Sequence, residues 1–293
     1  MWFARTKSFI GFVNLRRGLR VALIQMLVGD DKSENLKKAV KLITEAKKEN
    51  PRLVALPECF NSPYGTKFFP KYAEPIPDGE TCNVLSETAK NNNLYLVGGS
   101  IPEKCGDKFY NTCTVWSPEG KLIGVHRKMH LFDIDVKGGV RFCESDVLSA
   151  GNKLTTFDVD GCKIGIGICY DVRFSEMTKL YRKQGVELLM YPAAFNPTTG
   201  PPHWELLMRA RAVDEQMFVA GISPAQDPAA DYKAYGHTIV VSPWGTVMHQ
   251  ADYAETTVVA DLDLNEVANV RQQIPSFSQR RTELYDTISK SSL

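Results

Sequence analysis

The sequence lacks the paired cysteines of a zinc site or a disulfide framework. Its seven cysteines are an odd number, and no two are spaced as Cys-x-x-Cys. Such a set is typical of a protein from a reducing compartment, where disulfides are rare. We also find no ligand pattern among the five histidines, and we predict that the protein uses no metal ion and no cofactor.

Long apolar runs and an excess of one charge are absent as well. The run at 186–195 is interrupted by Glu187 and Pro192, and it is far shorter than the roughly 18 residues that span a membrane. The 35 basic residues face 34 acidic ones, which gives no indication of nucleic-acid binding. We therefore predict neither a membrane nor a nucleic-acid partner for these 293 residues, which suffice for a large core.

The charge balance is uneven at the N-terminus. Residues 1–20 contain five basic residues, and no acidic residue precedes Asp30. This Arg-rich stretch with scattered apolar residues has the composition of a mitochondrial presequence, although an extension without an address is the alternative. We predict an extension at 1–19, a single domain at 20–293, and a cytoplasmic or mitochondrial location. Removal of the leader near residue 20 should leave the first strand intact.

Two halves of the chain repeat one order of elements. The patterns in the first half predict strands at 20–26, 53–58 and 94–101, helices near 36–46 and 80–91, and a hairpin turning at 118–120. Those in the second half predict strands at 163–169, 188–191 and 218–223, helices near 175–184 and 203–217, and another hairpin. The fold class that follows is α/β, a four-layer α-β-β-α sandwich of two similar halves. Chance similarity of short turn sequences is the alternative.

The stretch KIGIGICYDVRF, residues 163–174, ends a predicted strand at a cysteine. Strand alternation places the isoleucines on one face, and the glycines with Cys169 on the other. Because glycine has no side chain, we expect the bare face to leave room around the thiol. The alternative is a buried structural cysteine, a common fate of free thiols.

A nucleophilic cysteine needs a base and a donor for the oxyanion that its attack creates. Glu58 ends a hydrophobic strand in the sequence LPECFN, whereas the matching position of the second half is Ala193 in YPAAFN. Lys128 lies in the basic run at the end of the first hairpin. Each residue alone has an ordinary explanation as a solvated surface charge. Together with Cys169 they form a candidate catalytic set.

Several motifs resemble the nitrilase superfamily of carbon–nitrogen hydrolases: LPECFNSPYG, HRKMHLFDIDV, GIGICYDVRF, YPAAFN and TGPPHWELLMRARAVDEQ. The resemblance runs from about residue 20 to 285. It implies the α-β-β-α fold, and homodimers formed through the face that carries the helix after the nucleophile. It further implies Cys169 as nucleophile, Glu58 as base, Lys128 as oxyanion stabiliser, and Glu144 in RFCES as an additional active-site glutamate.

Within the superfamily the chain most resembles the ω-amidases, in the stretches PECFNSPYG, HLFDIDV, AFNPTTGPPHWELL and VRQQIPSFSQRR. This implies hydrolysis of the terminal amide of 2-oxoglutaramate and 2-oxosuccinamate through a cysteine thioester. The alternatives are another carbon–nitrogen hydrolase, such as a deaminated-glutathione amidase, nitrilase or carbamoylase, and a non-catalytic adaptor on the same fold.

A monoamide of a dicarboxylic 2-oxo acid needs a cationic or N–H-rich spot for its second carboxylate. Arg173 and the loop around Thr199 are our candidates. An ion pair of Arg173 with Asp171 or Glu176 is an equal alternative, because buried arginines are generally paired.

The remaining candidates would shape the substrate pocket. We expect Tyr64, Phe195 and Trp204 to form its wall, with simple packing as the alternative. His203 would order the neighbouring loop, and the N–H of Tyr170 would help to hold the oxyanion.

Overall fold

The computed structural model describes residues 17–137 and 141–290. The strands are β1 Gly18–Gln25, β2 Leu53–Ala55, β3 Tyr95–Val97, β4 Ile101–Cys105, β5 Lys108–Trp116, β6 Leu122–Arg127, β7 Asp133–Asp135, β8 Arg141–Cys143, β9 Thr155–Val159, β10 Cys162–Ile166, β11 Leu188–Pro192, β12 Phe218–Ile222, β13 Ile239–Val241, β14 Val247–Gln250 and β15 Thr256–Asp263. The α-helices are α1 Lys32–Ala46, α2 Phe69–Tyr72, α3 Glu80–Asn92, α4 Ser175–Lys183, α5 Gly200–Glu215 and α6 Asn265–Gln273. Short 3₁₀ helices span Lys47–Glu49, Glu144–Asp146 and Cys169–Arg173.

Two large sheets form the centre of the molecule. The first has the order β15-β1-β2-β3-β5-β4, with β6 also paired to β5, and the second has the order β14-β13-β12-β11-β10-β9. In each, three neighbouring strands are parallel: β1, β2 and β3 in the first, and β10, β11 and β12 in the second. The carboxyl ends of parallel neighbours lie at one edge of their sheet, and the candidate residues Glu58 and Cys169 follow such ends.

Strand β1 shows why the sheets are sandwiched. Val21 and Leu23 belong to the core cluster that joins both sheets, whereas Ala22 and Ile24 pack with the apolar face of α1 and α3. Helix α1 begins where Asp31 accepts a hydrogen bond from the N–H of Glu34 and so caps the N-terminus of the helix. Because alternate residues of one strand serve two layers, the four-layer prediction is confirmed.

Strand β15 joins the first sheet although it comes from the end of the chain, and it pairs antiparallel with all of β1. Strand β1 begins at Gly18, which pairs with Asp263, rather than at residue 20 as predicted. Arg17 just before it forms an ion pair with Glu187. A cut near residue 20 would therefore remove part of β1, and the expectation of an intact first strand is wrong. The presequence prediction itself falls mostly on residues 1–16, which lie outside the described residues.

The glycines before Cys169 serve a different purpose from the predicted one. Strand β10 ends at Ile166, and a side-chain carbon at Gly165 would lie 2.9 Å from the Tyr181 ring. A side-chain carbon at Gly167 would lie 2.4 Å from the Tyr191 ring. Buried aromatic rings thus fill the bare face. The expectation that this face opens space around the thiol is wrong, because the chain leaves the strand pattern before it reaches Cys169.

Within residues 17–137 and 141–290, we find no helix with the length and apolar character that crossing a bilayer requires.

Candidate active site

Three loops bring the predicted catalytic residues together. Glu58 follows β2, Lys128 directly follows β6, and Cys169 follows β10 in the opposite sheet. All three are buried, and Cys169 retains 4% of its accessible surface. The site therefore lies where the two sheets meet, and both halves of the chain contribute to it.

Lys128 is the centre of a buried charge cluster. Its Nζ lies 3.0 Å from Glu58 Oε1 and 2.9 Å from Glu144 Oε1. Burial disfavours the ammonium, but the charges of Glu144 and Glu58 outweigh this effect and hold the pKa of Lys128 well above its ordinary value. The amine is therefore a permanent cation between two carboxyl groups.

Glu58 is fixed by donors from both halves of the chain. Its Oε1 accepts a hydrogen bond from Asn111 Nδ2 at 2.8 Å, and its Oε2 accepts one from the N–H of Ala194 at 2.8 Å. Burial raises the pKa of Glu58 above its ordinary value; the Lys128 charge opposes this rise and the Glu144 charge adds to it. A carboxylate with a raised pKa is a stronger base, which suits proton abstraction from a thiol.

Cys169 begins the 3₁₀ helix Cys169–Arg173 with a φ of 46°. This left-handed conformation is uncommon for a residue with a side chain and often marks a functional site. Burial raises the pKa of the Cys169 thiol well above its ordinary value, and the Glu58 charge raises it further. Burial therefore favours the neutral thiol, and a nucleophilic role for it requires a base that takes its proton. Among the described residues, no acceptor is found for the next N–H, that of Tyr170.

Glu144 lies in the 3₁₀ helix after β8 and is held by several donors. Its Oε1 accepts a hydrogen bond from the Tyr64 hydroxyl at 2.7 Å, and its Oε2 accepts one from the N–H of Phe132 at 2.8 Å. The Tyr64 ring stacks on Phe142, with centroids 5.5 Å apart. Glu144 and Tyr64 therefore both belong to the shell around Lys128.

Asp171 links the nucleophile turn to the lysine segment, a role that sequence reasoning missed. Its carboxylate accepts hydrogen bonds from the N–H of Ile168 at 2.9 Å and from the N–H of His130 at 2.9 Å, and it lies 3.3 Å from His126 Nε2. Burial opposes its charge, but the contacts with His126 and His130 hold the pKa of Asp171 well below its ordinary value.

The two histidines flank Lys128 with the spacing His-x-x-x-His, which the sequence analysis overlooked. This spacing, together with an aspartate two residues after Cys169, was the signal that could have indicated contact between the two segments. Both rings contact Asp171, and within the described ranges no three His, Cys, Asp or Glu side chains are grouped as metal ligands.

Arg173 lies at the end of the same 3₁₀ helix and carries an unpaired charge. Its guanidinium carbon lies 5.5 Å from the Tyr170 ring centroid and 5.2 Å from that of Phe195, and its nearest polar contact is His203 Nδ1 at 3.4 Å. Within 17–137 and 141–290 no carboxylate pairs with it, so the alternative of an ion pair with Asp171 or Glu176 is wrong.

The loop before α5 is ordered by its own side chains. Asn196 Oδ1 accepts hydrogen bonds from the N–H of Thr199 at 3.0 Å and from its hydroxyl at 3.2 Å. Trp204 is buried, donates to the carbonyl of His237 at 2.6 Å and packs against Phe195. Trp204 therefore packs in the core, and the expectation that it lines the pocket is wrong.

Two cavities lie near the cluster: the first reaches Glu58, and the second reaches Tyr64, which donates to Glu144. One, of about 370 Å³, includes Glu58, Ser62 and Ala194 in its wall and is called here the Glu58 cavity. The other, of about 510 Å³, includes Asn196 and Thr198 and is called the Asn196 cavity. Both share the following residues: Tyr64, Phe68, Asp231 and Tyr232.

The sandwich fold thus places a buried carboxyl group, a buried cation and a thiol close together, a combination that suits a cysteine-dependent hydrolase. Residues 20–272 match the carbon-nitrogen hydrolase family model, and the chain belongs to this family. It is a hydrolase that acts on carbon–nitrogen bonds.

The chain is similar to omega-amidase NIT2 of Bos taurus, with 56% identity over 93% of this chain and 99% of that protein. It is also similar to omega-amidase NIT2-B of Xenopus laevis, with 56% identity over 92% of this chain and 98% of that protein. The crystal structure of Saccharomyces cerevisiae Nit3, described as a member of branch 10 of the nitrilase superfamily, aligns with a TM-score of 0.83 and 43% identity over 90% of this chain and 97% of that one.

Proposed function

We propose that this protein is an ω-amidase that hydrolyses the terminal amide of 2-oxoglutaramate and 2-oxosuccinamate, giving 2-oxoglutarate or oxaloacetate and ammonia. The observation that carries the proposal is the buried Glu58–Lys128–Glu144 cluster beside Cys169, with an unpaired Arg173 at the other end of the nucleophile's helix. Omega-amidases at 53–56% identity over nearly the whole chain support the same activity.

The first half-reaction acylates the thiol. Glu58 takes the Cys169 proton as the sulfur attacks the amide carbon, and negative charge develops on the amide oxygen. The Lys128 ammonium and the N–H of Tyr170 stabilise that oxygen, and one such fixed donor is worth about 3 to 4 kcal/mol in comparable sites. Protonated Glu58 then donates to the nitrogen, ammonia leaves, and a thioester remains on Cys169.

The second half-reaction releases the acid. Glu58, again a carboxylate, takes a proton from a water molecule as the water oxygen attacks the thioester carbon. That proton then passes from Glu58 to the sulfur. Glu144 keeps Lys128 in position in both steps, because it accepts from the ammonium and from the Tyr64 hydroxyl at once.

Substrate recognition rests on the free carboxylate at the end of the substrate opposite the amide. The Arg173 guanidinium lies between the Tyr170 and Phe195 rings, where a bidentate pair with a carboxylate would be shielded from water. His203 holds the guanidinium from the side, and Thr199 keeps the adjoining loop in place. Tyr64 closes the pocket beside Glu144.

The test is a substrate panel with a trapped intermediate. Ammonia release is measured from 2-oxoglutaramate, deaminated glutathione and a simple nitrile, and quenched enzyme is examined by mass spectrometry. We expect the highest kcat/KM with 2-oxoglutaramate, an acyl adduct on Cys169, and no activity in Cys169→Ala. A preference for deaminated glutathione or a nitrile would assign another hydrolase activity, and no turnover of any amide would favour an adaptor.

Assembly and location are part of the proposal. Helix α5, which packs against α4, the helix after the nucleophile, exposes Leu206 at 63% and Val213 at 52%, and this supports a homodimer formed through that face. Sedimentation should show a dimer for the wild type and a monomer for Leu206→Glu; a monomeric wild type would contradict the proposed dimer.

Cell fractionation with N-terminal sequencing tests whether the leader directs the protein to mitochondria.

A further inference from the structure

The two cavities beside the active site differ in charge. The Glu58 cavity is lined by acidic residues, Asp30, Glu58, Asp227 and Asp231, and no described lysine, arginine or histidine lines it. The Asn196 cavity is lined by Lys67 and Lys233, together with Asp231. A monoamide substrate with one free carboxylate is therefore attracted to the second cavity and repelled by the first.

A buried hydroxyl shows what the Glu58 cavity would hold. Ser62 lines this cavity and is fully buried, and its Oγ has no hydrogen-bond partner among the described residues. Buried hydroxyls are nearly always paired, and in polar cavities the partner is usually a small polar molecule such as water. Water and ammonia both fit this description, and the acidic lining also favours ammonium.

Two aromatic rings lie where the cavities meet. The Tyr64 and Tyr232 centroids are 4.5 Å apart, and the Tyr232 hydroxyl donates to the carbonyl of Ala194 at 2.6 Å. Lys67 and Asp231 form an ion pair across the same boundary, 2.6 Å long. The two rings and Asp231 thus belong to the wall that the cavities share.

We propose that the Glu58 cavity carries the small reactants, water inward and ammonia outward, while the anionic monoamide substrate reaches Cys169 from the Asn196 cavity. The inference rests on the proposed amidase function and adds a separate route to it. The leaving nitrogen gains its third hydrogen from Glu58, which had taken it from the Cys169 thiol, and departs as ammonia. Water then supplies a hydroxyl group to the acyl carbon and a proton to Glu58. Both small molecules therefore meet Glu58, the residue that lines this cavity.

Hydroxylamine is a suitable probe, because it resembles water and ammonia in size and converts a thioester to a hydroxamate. Ala230 lines only the Glu58 cavity and Thr66 lines only the Asn196 cavity, so Ala230→Phe and Thr66→Phe narrow one route each. We expect Ala230→Phe to slow the decay of the acyl-enzyme, by hydrolysis and by hydroxylamine capture alike, at least about fivefold, with kcat/KM for the amide, which reports acylation, within about twofold. Thr66→Phe should lower kcat/KM and leave both decay rates unchanged.

Equal decay rates of the acyl-enzyme in the wild type and Ala230→Phe, or slower decay in Thr66→Phe instead, would overturn the proposed route. Ala230→Val, a smaller change with the same expected direction, replaces Ala230→Phe if thermal melting shows that the larger side chain unfolds the protein. A wild type that forms neither acid nor hydroxamate from the amide would contradict the proposed function itself, whereas the variants test only the route.

Discussion

The two halves of the chain differ most where their sequences match best. The first half carries Glu58 after β2, and the second half carries Ala193 at the matching place after β11. The next residue, Ala194, donates its N–H to Glu58 Oε2 at 2.8 Å. The repeated architecture thus brings two equivalent strand ends together, and only one of them bears an acid. A second carboxylate there would lie against the first in a buried site, which is costly.

The comparison also divides the residues of the proposed mechanism between the halves. The first half carries the proposed base, the cation and the acid that holds the cation, namely Glu58, Lys128 and Glu144. The second half carries the proposed nucleophile Cys169 and the unpaired Arg173. Substitution of Glu58, Lys128 or Cys169 should therefore lower kcat, and substitution of Arg173 should raise KM.

The largest effect is expected for Glu58→Gln. The amide keeps the size of the side chain but cannot accept the thiol proton, so kcat should fall about 10⁴-fold. The matched control is Glu215→Gln, which alters another buried glutamate in the second half and should leave kcat nearly unchanged. Steady-state ammonia release measures both, and an active Glu58→Gln enzyme would remove the base from the mechanism.

A smaller loss of kcat is expected for Lys128→Met, about 10²- to 10³-fold, because one oxyanion donor is lost. Stability should also fall, by about 3 to 5 kcal/mol, since Glu58 and Glu144 remain buried without their cation. Lys179→Met breaks a comparable pair with Glu215, whose atoms are 2.6 Å apart. That control should lose stability but retain kcat; equal kcat values for the two variants would contradict the assignment.

Arg173→Gln tests the recognition half. Loss of a charge-assisted pair with the second carboxylate should raise KM about 10- to 100-fold, with a smaller change in kcat. Arg182 also lies over an aromatic ring, that of Phe277 at 4.4 Å, and Arg182→Gln should leave KM unchanged. If Arg173→Gln raises KM as strongly for an amide without a carboxylate as for 2-oxoglutaramate, Arg173 does not bind the carboxylate.

The smallest effect is a shift in the pH profile. Because the pKa of Glu58 is raised and its ionised form is the base, kcat/KM should rise with pH along a limb above the ordinary glutamate value of about 4.3. Asn111 donates to that carboxylate and favours its ionised form. Asn111→Leu should therefore move the limb upward by about one pH unit. An unmoved limb would show that another group controls it.

The order of elements was predictable because alternation and helical spacing report directly on which faces are buried. The turn at 118–120 lies between β5 and β6 as expected, and the structure brings Glu58, Lys128 and Glu144 within hydrogen-bond distance. The pairing of β15 with β1 was not predictable, since strand pairing over such a separation leaves no local pattern.

The parts of the site that escaped prediction depend on neighbours distant in sequence. Glycines at 165 and 167 look the same in sequence whether a substrate or a tyrosine ring occupies the space beside them. Asn111 and Tyr232 contact the site only because of folding, and neither lies in a motif with a recognisable chemistry.

The neutral state of Cys169 has a consequence for redox chemistry. Peroxides attack the thiolate rather than the thiol, so cysteine enzymes with a standing thiolate are readily oxidised. Here burial and the Glu58 charge hold the pKa of the thiol well above its ordinary value. Burial therefore favours the neutral thiol, the form that peroxides attack slowly, and we expect Cys169 to react with peroxide more slowly than an exposed thiolate would.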